Sequence, residues 1–217
     1  GVDKSVTRWL LPPGPSSPGM KIGLLGGSFN PAHEGHLYVS ELALKQLGLD
    51  YVWWLVSPQN PLKPVSGMAP LRERLSYAAR KFEHHLRIIV VDVETALHTH
   101  YTIDTLKALQ KRFPGVNFVW LMGSDNLATF HRWRNWRGIA NRIPIAVVMR
   151  PGSTRAAFSA QASKTLVKAH KRPSRGFAAS RPPALTVLDG RRCPMSASAI
   201  RAKAALGEAF VQAIPPC

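Results

Sequence analysis

From Lys21 onward the chain alternates short apolar runs with longer amphipathic stretches, and that alternation constrains its fold more than any other feature. Ile22–Leu25 reads as a first strand, followed by a glycine turn and an amphipathic segment over Gly35–Leu47. In that segment Leu37, Leu44 and Leu47 recur at helical spacing, and Gly48 supplies a stop. Tyr51–Val56 reads as a second strand. Four prolines, Pro58, Pro61, Pro64 and Pro70, mark a loop, after which Leu71–His84 has a helical pattern. Arg87–Val91 reads as a third strand and Thr102–Phe113 as a helix closed by Pro114 and Gly115. Val116–Met122 and Ile145–Met149 complete a set of five strands separated by segments of helical length. This order predicts an α/β fold with an open parallel sheet and crossover helices. Ala184–Leu188 is a candidate for one more strand and Ser196–Leu206 for a last helix. No repeat of fixed period is visible.

Composition bounds the rest. A chain of 217 residues suits one domain with a full core, and a 45% hydrophobic content excludes wholesale disorder. The formal charge of +17 points to a polyanionic partner, whether nucleic acid, an anionic membrane or a phosphorylated small molecule. Most of that charge is late. Residues 150–203 hold twelve Lys and Arg and a single acid, Asp189, giving +11 of the total. Within them Lys171–Pro183 is rich in Pro, Arg, Ser and Gly and reads as a basic loop insertion. Two cysteines, Cys193 and Cys217, make neither a disulfide framework nor a metal pair, which suits a reducing cytoplasm. Apolar runs such as Ile88–Val91 and Ile143–Met149 fall far short of a membrane span. Near the start, Trp9, Leu10 and Leu11 give way at once to Pro12, Pro13, Pro15 and Pro18. Residues 1–20 therefore read as a flexible arm rather than a signal peptide, and residues 21–217 as a single domain.

The stretch richest in chemistry is Gly26-Gly27-Ser28-Phe29-Asn30-Pro31-Ala32-His33-Glu34-Gly35-His36. It leaves the first strand and opens the first helix, where open α/β sheets place phosphate ligands. Paired glycines let backbone N–H groups approach a ligand, and the helix start favours anions. His33 and His36, three apart, share one side of the entering turn. A Walker loop needs GxxxxGK[ST] and a dinucleotide fingerprint needs GxGxxG; neither is present. Taken singly, the glycines or either histidine suit an ordinary tight turn with a capped helix. Two histidines are also half a zinc set, but no nearby cysteine or third histidine completes one.

GGSFNPAHEGH resembles the GGxFxPxHxGH signature of the nucleotidyltransferase superfamily, whose members carry an HxGH motif. Met195-Ser196-Ala197-Ser198-Ala199-Ile200-Arg201 resembles that superfamily's second signature, ISSTxIR. Further blocks are similar to those of bacterial nicotinate-nucleotide adenylyltransferases. Tyr101-Thr102-Ile103-Asp104-Thr105-Leu106 resembles YTxDTL, Gly123-Ser124-Asp125-Asn126-Leu127 resembles G[AS]DxL, and Phe130 to Trp133 the following F-x-x-W. Asn60-Pro61-Leu62-Lys63 stands where that family has a basic loop. The resemblance runs from about Lys21 to Leu206. It implies a Rossmann-like sheet with helices on both faces.

It also implies a reaction: transfer of the adenylyl group of ATP to nicotinate mononucleotide, releasing pyrophosphate, in NAD biosynthesis. A phosphate is already a competent nucleophile, so such an enzyme must juxtapose two anions and neutralise the leaving charge. Backbone N–H groups, cations and Mg²⁺ carried by the nucleotide suffice. By resemblance, Gly26, Gly27, Ser28 and Phe29 line the ATP site with main-chain groups, while His33 and His36 contact the triphosphate. An imidazole suits that contact because its charge can follow phosphate charge near neutral pH. Ser196, Ser198 and Arg201 bind its far phosphates, with Arg201 and the two histidines as the catalytic set. Ser196 alone would read equally as a helix N-cap. Lys63 is a further phosphate ligand, and Gly123 and Asp125 belong to the ATP site, Asp125 accepting from a ribose hydroxyl. Asp125 also reads as a helix N-cap before Asn126. Tyr101, Thr102 and Trp133 fall to the mononucleotide: an aromatic face stacks on the pyridine ring, and Thr102 opens a helix whose N–H groups suit a carboxylate. Trp136 is nearby, but spacing favours Trp133. Trp53 and Trp54 lie in a strand and read as core.

Asn30 stands where the first signature commonly has aspartate, and Ala197 where the second has Ser or Thr. Two other readings are open. One is a related adenylyl- or cytidylyltransferase with another phosphate acceptor. The other is a basic nucleic-acid-binding protein using residues 150–203, against which that segment holds only Phe158 and Phe177 as aromatics for base stacking. Nonspecific binding to nucleic acid is compatible with the charge.

Overall fold

The computed structural model describes residues 13–58, 67–93, 97–149 and 160–190. Their strands are β1 (Lys21–Gly27), β2 (Tyr51–Val56), β3 (Ile88–Asp92), β4 (Asn117–Gly123), β5 (Ile145–Val148) and β6 (Leu185–Leu188). All pair in parallel in the order β3-β2-β1-β4-β5-β6. This is the doubly wound arrangement, and its order reverses at β1, beside β4. The candidate sixth strand is thus part of the sheet, while the proposed helix Ser196–Leu206 lies outside the described residues.

The principal helices are α1 (Glu34–Leu47), α2 (Leu71–Lys81) and α3 (Thr102–Arg112). Three shorter ones follow: α4 (Ser124–Thr129), α5 (Trp136–Ala140) and α6 (Gln161–Leu166). α1 ends on Gly48 at φ 60, a left-handed stop that glycine adopts without steric cost. α2 is three residues shorter than its sequence pattern, because Phe82 leaves helical geometry and sinks into the core at 4% exposure.

Both sheet faces are covered, which is why the strand sequences are apolar throughout rather than alternating. On one face Ile22, Leu24, Trp53 and Trp120 pack with Ile103, Leu106 and Leu109 of α3 and with Leu127 and Ile139 of α4 and α5. On the other, Leu25, Val52 and Trp54 pack with Val39, Ala43 and Leu47 of α1 and with Ala78 and Phe82. Trp53 and Trp54 are both fully buried, on opposite faces, as core residues.

Residues 13–20, the described end of the segment expected to be an arm, are tied to the body: Gly19 N–H donates to Gly115 O at 2.8 Å, and Asn117 N–H to Met20 O at 2.8 Å. The basic stretch 171–183 is also anchored. Lys171 N–H donates to Leu185 O, Thr186 Oγ1 donates to Lys171 O, and Phe177 is buried at 2% exposure. Lys21 Nζ reaches Arg175 O, and Arg175 lies against Gly48. That end of the sheet holds the start of β1. The glycine turn lies at the other end, about 20 Å away at ~3.3 Å per residue.

Candidate active site at the carboxyl ends of β1 and β4

Gly26 and Gly27 close β1, and the chain then turns through Phe29 at φ 50, a left-handed geometry rare for a bulky residue. Strain of this kind costs of order 1–3 kcal/mol and needs surrounding structure to hold it. Burial does so here. Phe29 is 1% exposed, with its ring 4.3 Å from that of His36 and 5.3 Å from that of Trp54. Phe29 therefore contributes main chain to the site, while its ring is a buried prop beneath His36.

His33 is the N-cap of α1. Its Nδ1 accepts Gly35 N–H at 3.0 Å, and His36 Nδ1 accepts His33 N–H at 3.0 Å. The two imidazoles form a reciprocal capping box, with ring centroids 3.9 Å apart. Because backbone donors occupy both Nδ1 atoms, each ring carries its proton on Nε2. Burial holds both rings below the ordinary histidine range. His33 is lowered by desolvation and by Lys81, against Glu34; His36 is pushed down to about 3 by desolvation and by His33. Without ligand, burial thus favours the neutral form of both rings, with Nε2–H as the donor each presents.

A cavity of about 550 Å³ is lined by Gly26, Gly27, Ser28, Phe29, His33 and His36 on one side and by Gly123, Ser124, Asp125 and Asn126 on the other. Asp125 sits in the first turn of α4, but Gly123 is the N-cap of that helix, so the N-cap reading of Asp125 is corrected. A second cavity of about 510 Å³ is lined by Tyr101, Thr102, Thr105, Trp120, Arg132, Trp133 and Arg134. Both volumes are ordinary for small-molecule sites. The two cavities share Gly26, Gly27 and Asn126 as a common wall.

The second cavity has an aromatic and a cationic side. Trp133 stands edge-on to Trp120 and Phe130, at centroid distances of 6.2 and 5.2 Å, whereas Trp136 is 8% exposed and belongs to the core. Tyr101, 39% exposed, carries the Arg134 guanidinium 4.5 Å over its ring. Tyr101 is the N-cap of α3 and makes no side-chain cap hydrogen bond, so Thr102 stands at a helix start facing the cavity. Thr105 Oγ1 pairs with Thr99 Oγ1 at 2.7 Å behind it.

The structure thus brings together Gly26, Gly27, Ser28, Phe29, His33, His36, Gly123 and Asp125 around one cavity, and Tyr101, Thr102 and Trp133 around its neighbour. Lys63, Ser196, Ser198 and Arg201 lie outside the described residues. Sequence reasoning missed Asn126, although it stands inside the G[AS]DxL-like block, and it missed Arg134 and Arg74. No local pattern marks the last two: Arg134 matters through its stacking on Tyr101, Arg74 through burial. Asn30, a departure from the first signature, donates from Nδ2 to Gly67 O at 2.9 Å and accepts Ala69 N–H at Oδ1 at 3.1 Å. An amide can do both; an ionised aspartate cannot. Among the described residues, no three His, Cys, Asp or Glu side chains group to hold a metal ion, and no helix is long and apolar enough to cross a membrane.

A family model described as cytidylyltransferase-like matches residues 24–203. Curated relatives include probable nicotinate-nucleotide adenylyltransferases from Parvibaculum lavamentivorans, 51% identical over 85% of this chain and 92% of that one, and from Cereibacter sphaeroides, 49% identical over 84% and 97%. A third, from Brucella abortus, is 46% identical over 84% and 94%. The fold is similar to that of Plasmodium falciparum nicotinic acid mononucleotide adenylyltransferase complexed with NaAD, with a TM-score of 0.61 at 15% identity over 84% of this chain and 83% of that one. The chain belongs to the cytidylyltransferase-like nucleotidyltransferases and, within them, to the nicotinate-nucleotide adenylyltransferase family.

Proposed function

We infer that this protein transfers the adenylyl group of ATP to nicotinate mononucleotide, giving nicotinate adenine dinucleotide and pyrophosphate. The observation that carries the reading is the wall shared by the two cavities, Gly26, Gly27 and Asn126. A triphosphate in the histidine-lined cavity and a mononucleotide in the aromatic one would meet there, aligned for attack. An oxygen of the mononucleotide phosphate forms the new bond to the α-phosphorus of ATP. The bond from that phosphorus to the bridging α–β oxygen breaks, and pyrophosphate leaves with its electron pair.

The chain's part is positioning and charge stabilisation. His33 and His36 offer Nε2–H to phosphate oxygens, and the amides of the glycine turn and of the α1 start add a field that favours anions. Gly123 and Asp125 face the adenosine side, Asp125 as acceptor of a ribose hydroxyl. Trp133 and Tyr101 offer faces to the pyridine ring, and Thr102 with the open α3 start suits its carboxylate. Lys63, Ser196, Ser198 and Arg201 complete the set as cationic and hydroxyl ligands of the leaving phosphates. Mg²⁺ arrives on ATP, as part of that substrate. The cytoplasm is the compartment this reading implies.

Purified protein with ATP, Mg²⁺ and nicotinate mononucleotide should release pyrophosphate, with nicotinamide mononucleotide the poorer acceptor. Absence of turnover with both acceptors overturns the reading.

A further inference from the structure

We propose that Arg74 is a positioning residue that aims the phosphate-binding amides of the glycine turn; the proposal rests on the reading of that turn as the ATP site. Arg74 projects from α2 and is 3% exposed, an unusual place for a guanidinium. Its Nη1 donates to Ser28 O at 2.6 Å and to Ser57 O at 2.9 Å, and its Nε donates to Ala69 O at 2.9 Å. One planar fork thus joins the glycine turn, the end of β2 and the segment that enters α2. Lysine, a point charge on a flexible stem, does not reproduce that geometry.

The consequence follows from peptide planarity. In a trans peptide the carbonyl and the next residue's N–H point in opposite directions. Arg74 holds the Ser28 carbonyl back, so the Phe29 N–H points forward, away from Arg74. Ser57 treats the preceding peptide in the same way: its N–H and Oγ donate to Gly27 O at 2.9 and 3.1 Å, which turns the Ser28 N–H outward. Two successive carbonyls are tied down on one side, leaving two successive amides on the other. Such a row of amides is an anion-binding concavity, here built on the left-handed turn at Phe29. The fixed positive charge of Arg74 behind it reinforces the field, and no atom of Arg74 needs to touch nucleotide. Asn30, bonded to Gly67 and Ala69, ties the same segment a second time.

The test is equilibrium dialysis of Mg²⁺-ATP and, separately, of nicotinate mononucleotide against Arg74→Met and Arg74→Lys. ATP affinity should fall about tenfold or more in both variants, since each loses the directed amides. Affinity for the mononucleotide should stay within about twofold of wild type. In Arg74→Ala, low concentrations of free guanidinium should restore part of the ATP affinity and leave the mononucleotide affinity unchanged, whereas a role in folding alone would restore both together. Should Arg74→Met fail to fold, Arg74→Lys is the deciding variant. Wild-type ATP affinity in Arg74→Lys, or equal losses for both ligands, overturns the proposal. Wild-type protein that binds ATP but does not adenylylate the mononucleotide defeats the functional reading and leaves the role of Arg74 standing.

Discussion

His36 Nδ1 accepts the backbone N–H of His33 at 3.0 Å, so the second histidine of the HxGH motif caps the helix that the first one starts. One pair of side chains thus serves stability through Nδ1 and, in the proposed function, ligand contact through Nε2. The two tasks are separable by substitution. His33→Asn supplies an amide oxygen able to cap α1 but removes the Nε2–H, so its melting temperature should stay near wild type while kcat falls about 100-fold or more. His33→Ala should lose the same activity and, in addition, about 1 kcal/mol of stability. Thermal melts beside pyrophosphate-release kinetics distinguish them; a fully active His33→Asn would remove His33 from the reaction.

The pH dependence of stability has a definite sign. His36 has its pKa lowered from 6.5 to about 3, so between these values the unfolded chain binds a proton that the folded one refuses. The contribution of His36 to stability is fully present above about pH 6.5 and declines as the pH falls toward about 3, with His33, lowered in the same direction, adding to the decline. Denaturant midpoints measured across that window should be flatter for His36→Gln than for wild type. A parallel pair of curves would contradict the buried, neutral assignment.

Trp133 borders the cavity assigned to the mononucleotide and not the one holding the histidines. Trp133→Ala should raise KM for nicotinate mononucleotide about tenfold, consistent with one lost aromatic contact, and leave KM for ATP nearly unchanged. Steady-state kinetics with each substrate varied in turn decide this; a rise confined to ATP would place the two ligands the other way round.

Gly26 lies in the wall between the cavities, and a Cβ there would stand 2.8 Å from Cη2 of Trp120. Trp120 is 4% exposed and packed in the core on one side while lining the second cavity on the other, so relief of the clash pushes its ring into the space assigned to the mononucleotide. Gly26→Ala should therefore cost about 1–3 kcal/mol of stability and raise KM for both substrates. Calorimetry and kinetics on the variant check it, and an unchanged Trp120 environment by fluorescence would argue against the clash.

The elements most legible in the sequence were those with long, unmixed signals. The apolar runs of β1, β2, β4 and β5 and the helical spacing of α1 and α3 are each close to their observed bounds. The helices α4, α5 and α6 were not individually legible, since five or six residues span too few turns to display a period. At the site, motif residues such as His33, His36, Tyr101, Thr102 and Trp133 stood out because their blocks are contiguous in the chain. Arg74 did not, being one basic residue among several in a helix whose others are exposed. The charge excess behaves likewise: its sum pointed to a polyanionic partner, but Lys171 and Arg175 sit at the opposite end of the sheet from the glycine turn.

The order of apolar and amphipathic runs was enough to determine a parallel α/β fold, because each strand–helix unit has its own local periodicity. The HxGH turn and its partner blocks were likewise enough to determine the family, because they are written in consecutive residues. Tertiary structure alone decided that two cavities share Gly26, Gly27 and Asn126, that both histidines turn Nδ1 to backbone donors where burial lowers their pKa, and that a buried arginine holds the turn's carbonyls back. Each of these depends on burial and on contacts between residues far apart in the chain, which meet only when the sheet closes over its core.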